Sequence, residues 1–140
     1  MGDRCNGELI IHGLTDLNSW GEILAAVEEY SDERHAKNHF QFYEMNYGTL
    51  PPDIMEELEK YKMSYQWWTE PGGDYPAGVD MYNAQTKQHG SFLAADGEIC
   101  IPVSHIENEE SIAHCLKWHK WICSKPTFTI IDAPSEEFIP

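Results

Sequence analysis

A chain of 140 residues with 41% hydrophobic content makes one domain, residues 1–140, with enough apolar material for a core that needs no disulfide or metal staple. Twenty-four acids against nine Lys and Arg leave a formal charge of −15, which repels phosphate backbones and anionic membranes and so argues against direct nucleic-acid or membrane binding. No apolar run reaches signal-peptide length or the roughly 20 residues of a membrane span, so the expected location is the cytoplasm of a bacterial host cell, with Cys5, Cys100, Cys115 and Cys123 as reduced thiols.

Glu8 to His12 is a short apolar run ending at Gly13 and reads as a central strand. Thr15 offers an N-cap for a first helix whose stripe is Leu17, Trp20, Ile23, Leu24, Val27 and Tyr30. Acids gather at the C-terminal end of that helix, where the macrodipole disfavours them, which points to a role other than stability. His35 to His39 reads as a loop with an HxxxH pair, and Phe40 to Met45 alternates as a second strand. Pro51-Pro52-Asp53 starts a second helix with Ile54, Leu58 and Tyr61 at helical spacing.

Ser64 to Thr69 is a third strand, followed by the turn-rich loop Glu70 to Gly78. Val79 to Asn83 and Ser91 to Ala94 follow as strands, and Asp96-Gly97 predicts a tight hairpin into Glu98 to Ile101. A third helix runs to Cys123, capped by Asn108 or Ser104, with Glu107, Glu109 and Glu110 at its start and Lys117, Lys120 and Lys125 near its end. Its expected core face is Ile112, Cys115, Leu116, His119, Ile122 and Cys123, with Trp121 opposite. Thr127 to Ile131 returns as a last strand before an acidic tail, 132–140. The layout is α+β, a mostly antiparallel sheet with three helices on one face, nearest to a ferredoxin-like core with extra strands.

Three groups carry candidate chemistry. Cys115, His119 and Cys123 at i, i+4 and i+8 present zinc-type ligands, but the third lies too far along a straight helix, and closure would need Cys5, Cys100 or His105. Packing residues are the better reading, so no metal or other cofactor is expected. The second group is aromatic: Trp67, Trp68 and Tyr75 near the Gly-Pro loop are interface anchors, and adjacent Trp67 and Trp68 must point to opposite faces.

The third is the acidic surface. A charge of −15 exceeds what solubility asks of a small domain. At the charge density of duplex DNA it matches roughly 25 Å of helix axis. Glu22, Glu28, Glu29, Asp32 and Glu33 of the first helix region and Asp53, Glu56, Glu57 and Glu59 of the second are the expected partner-binding carboxylates. No nucleophile elbow, P-loop or dinucleotide fingerprint occurs, so no catalytic residue is assigned and an enzyme is not expected.

The opening segment Arg4 to Gly13, through Cys5, Leu9, Ile11 and Gly13, resembles the first strand of small ferredoxin-like proteins carried by phages and plasmids. Arg4 stands where that pattern has Trp. The resemblance implies the fold and a mobile-element origin, and small acidic products of that kind are similar to anti-CRISPR and anti-restriction inhibitors. The leading expectation is therefore an acidic inhibitor that mimics nucleic-acid charge and binds a basic nuclease or CRISPR effector. The alternatives are a zinc-binding small protein or enzyme built on the last helix, and a structural assembly protein of a mobile element, for which a homodimer is the simplest form.

Overall fold

The computed structural model describes residues 5–45, 49–71 and 76–131, with Glu44 described by its backbone alone. Strand β1 (Cys5–Thr15) is flanked antiparallel by β3 (His39–Met45) and β4 (Ser64–Thr69), with β2 (Glu33–Ala36) outside β3. β5 (Gly78–Asn83), β6 (Gln88–Ala95) and β7 (Glu98–Cys100) extend the other side, giving the order β2-β3-β1-β4-β5-β6-β7. β8 (Phe128–Ile130) pairs parallel with the end of β1 through Gly13, Leu14 and Thr15. The class is α+β: among the described residues an eight-stranded and mostly antiparallel sheet with three α-helices.

Helix α1 (Leu17–Glu28) links β1 to β2, and α2 (Pro52–Lys60) links β3 to β4 by crossing over β1. The first six elements thus run β-α-β-β-α-β in sheet order β4-β1-β3-β2, a split β-α-β arrangement. Asp16, not Thr15, caps α1, its carboxylate accepting from the Ser19 amide at 2.8 Å. Proline at the first turn starts α2, because its missing N–H costs nothing there.

The helices do not share one face. Leu9, Ile11, Phe40, Phe42, Tyr65 and Trp67 alternate onto the side covered by α1 and α2, where Trp20, Ile23, Val27, Ile54 and Leu58 complete the larger core. Val79 and Met81 point the other way, and α3 (Glu109–Cys123) buries Trp118 against them. Val79 stands opposite Trp68 and Met81 opposite Gln66, so the second core lies on the far side of the sheet from Trp67. A sheet this wide exposes two apolar faces, and two helices cover only one of them.

α3 is also turned from its expected orientation. Trp118 is buried and Ile112, Cys115, Trp121 and Ile122 are half-buried, while Leu116, His119 and Cys123 are exposed. Two tryptophans offer more apolar area than one leucine, so the helix seats on them. Gly90 makes the seat: a Cβ there would lie 2.5 Å from the Trp118 indole. Asn108 caps the helix, accepting from the Ser111 amide at 3.1 Å. The Asp96-Gly97 hairpin has φ of 52° and 78°, the left-handed pair of a type I′ turn.

Candidate functional surfaces

The carboxylates of α1 and α2 singled out from the sequence gather on one helical layer, while Glu33 lies on β2. α1 and α2 lie side by side and are tied by Tyr30 Oη donating to Asp53 at 2.9 Å and by an exposed Lys60–Glu22 pair at 3.8 Å. Glu22, Glu28, Glu29, Asp32, Glu33, Asp53, Glu56 and Glu59 are exposed, whereas Glu57 is half-buried and turned inward. Between Asp16 and Glu33 the chain carries six acids and no Lys or Arg. Three of these acids do structural work: Asp16 caps α1, Asp32 accepts from the Tyr43 amide at 2.7 Å and Glu33 accepts from the Tyr43 hydroxyl. Tyr30 and Tyr43 stand exposed among the acids, and donation to Asp53 and Glu33 holds each phenol above its ordinary range.

The aromatic anchors divide differently. Trp67 is wholly buried and meets Phe42 edge-on with centroids 5.1 Å apart, so it anchors the core and no partner. Trp68 is half-buried on the opposite face, with its indole N–H donated to Gln66 at 2.9 Å. Tyr75 lies outside the described residues. The sequence pairing of Trp67 and Trp68 misled because alternation tells only that they face apart, while α2 and β3 decide which one is covered.

The Cys/His group of α3 does not converge. Cys115 is half-buried towards the sheet, and burial, aided by Cys100, raises its thiol pKa. His119 and Cys123 are exposed and touch each other at 3.5 Å. Cys5 is buried at the start of β1. Among the described residues no group of three or more His, Cys, Asp or Glu side chains is placed to hold a metal ion. His35 is on β2 and His39 on β3, rather than in one loop, and their rings lie 5.1 Å apart, with His39 3.7 Å from Glu8. The edge strand β2 is short and polar, which hid it from a reading based on apolar alternation.

A row of buried polar side chains on the α3 side of the sheet has no counterpart in the sequence reading. His12, Ser64, Gln66 and Gln41 are all buried there. His12 Nε2 lies 2.8 Å from Gln66 Nε2, and Trp121 of α3 closes edge-on over the imidazole at 5.8 Å. The signal was present in the strand parity, which sets His12 with Glu8 and Gln66 with Trp68, polar groups in the middle strands of a wide sheet.

Burial pushes His12 down to about 4, with the Pro126 carbonyl acting in the opposite sense. Unfolded histidine titrates near 6.5, so between those values the unfolded chain binds the extra proton. The contribution of the neutral ring is present above pH 6.5 and is lost as pH falls towards 4. Urea unfolding at pH 7 and pH 4.5 should show a larger loss in the native protein than in His12→Gln. Equal losses would show that His12 is not held neutral.

No helix among the described residues is long and apolar enough to cross a membrane. Comparison with protein-family models, curated proteins and solved structures finds no match to this chain.

Proposed function

We propose that the chain is a non-enzymatic acidic inhibitor that binds a basic, nucleic-acid-handling protein, of the nuclease or CRISPR-effector kind, through the outer surface of α1 and α2. The observation that carries this reading is the joining of two helices and the α1 exit into one exposed carboxylate layer whose helices contain a single base, Lys60. Such a layer concentrates negative potential on one side and steers a basic groove towards it, as a nucleic-acid backbone does. Exposed Tyr30, held beside Asp53, supplies the aromatic element that Trp67 does not. The strand order of the first four strands supports a ferredoxin-like core, the fold of the mobile-element proteins that the opening segment resembles.

The test is a tagged pull-down from bacterial lysate at low and high salt, with mass spectrometry of the eluate. A basic nucleic-acid-binding protein is expected at roughly 50 mM salt and is expected to be released well below 1 M, where the screening length falls to about 3 Å. A captured protein that is retained unchanged at high salt, or an empty eluate at both, would count against charge mimicry.

A further inference from the structure

α3 covers only part of the second sheet face. It seats on β5 and β6 and reaches β1 through Trp121, leaving the face of β3, β1 and the end of β4 open beside Ile122. The result is a groove of about 600 Å³ between those strands and the β6–β7 hairpin. Ile10, Trp68 and Ile122 form its apolar wall, and Ala77, Ala94 and Ala95 leave it wide. Its charged lining among the described residues is Glu8, Glu70 and Asp96, with no lysine or arginine among them.

Two features make this a built site. Trp68 is fixed in the groove, because its indole N–H is held by Gln66, whose amide is in turn held against buried His12. Glu8 is the direct cross-strand partner of Trp68, so its carboxylate, which lies 3.7 Å from His39 Nε2, is within side-chain reach of the ring. The floor also carries Gln41, 7% exposed, whose amide N–H is donated to the Gly7 carbonyl at 3.1 Å. Its Oε1 has a 3.4 Å contact to His35 and keeps a lone pair free to accept.

A ring face, flanking carboxylates and a carbonyl acceptor match a planar cation. Guanidinium stacks on indole and donates in a fork to carboxylate and carbonyl oxygens, which an ammonium does less well. Anions are repelled by the lining. We propose that this groove receives an arginine side chain of a protein partner. The groove lies on the sheet face opposite α1 and α2; Glu33 and Tyr43 share that face by strand parity but the acids of the two helices do not, so the inference stands apart from the role of the helix acids.

The test is heteronuclear NMR of the full chain titrated with the capped peptide acetyl-Gly-Arg-Gly-amide and its lysine and norleucine counterparts. The Trp68 indole N–H and the Gln41 side-chain amide should shift saturably, with the arginine peptide binding best and norleucine worst. Glu8→Gln with Glu70→Gln should weaken the arginine peptide about tenfold, as expected for loss of charge-assisted contacts, and leave the unperturbed spectrum folded. Equal binding of norleucine, or shifts confined to residues of α1 and α2, would overturn the proposal. Free guanidinium hydrochloride at millimolar concentration, shifting the same signals as strongly as the peptide, would also overturn it, by showing a small-cation site with no use for a protein-borne side chain.

Discussion

Replacing Glu22, Glu28, Glu29 and Glu56 together by lysine is expected to weaken binding of the captured basic partner by about a hundredfold or more at low salt, while the fold melts at the same temperature or higher. All four side chains are exposed, and among the described residues Glu22 alone of them has a salt-bridge partner, Lys60, in a pair open to solvent. Such a pair contributes at most about 1 kcal/mol. Glu28 ends α1 and Glu29 is its C-cap, so lysine there also complements the helix dipole, by about 0.3–1 kcal/mol each. The binding loss comes from converting attraction to repulsion across the interface, and it should fall mostly on the association rate. Calorimetric or kinetic titration against the recovered partner decides the matter. Unchanged binding would remove α1 and α2 from the interface.

Trp67→Ala is expected to remove a large part of the stability of the fold, about 3–5 kcal/mol of a total of about 5–15 kcal/mol. The ring is wholly buried between the sheet and α2, against Phe42, and Gly7 exists in the shape of it, since a Cβ at Gly7 would lie 2.3 Å from the ring. Nothing nearby can collapse into so large a void, because the flanking strands are held in register on both sides. The melting temperature should drop by roughly 10–20 °C, and any loss of partner binding should follow the loss of folded protein. A variant that melts near the native temperature but no longer binds would restore Trp67 as an anchor. Trp68, half-buried, should tolerate Trp68→Phe with a far smaller change.

The last helix shows where one-dimensional reading stops. A wheel through Glu109–Cys123 finds apolar residues on more than one side, because Leu116 and the two tryptophans do not fall on a single stripe. Which side is core depends on what the helix meets, and it meets Gly90, Val79 and Met81, a shallow seat suited to the Trp118 indole. α1 had no such ambiguity: Trp20, Ile23 and Val27 form one stripe, and all three are buried as expected. The acids were legible one by one, but their convergence required the α2 crossover that lays Asp53 beside Tyr30.

What the amino-acid order determined by itself is local: strand alternation in β1, β3 and β4, the caps and proline starts of the helices, the Asp96-Gly97 hairpin and the large negative charge. These follow from periodicity, turn chemistry and composition, each of which acts within a few residues. What only the tertiary structure decided is the distribution between faces: α3 apart from α1 and α2, Trp67 inside and Trp68 beside a groove, the thiols of α3 divided between sheet and solvent, and His12 joined to Gln66. Those outcomes depend on strand order and register between segments far apart in sequence, where burial of the largest apolar surfaces is shared among competing faces. No single segment carries that information.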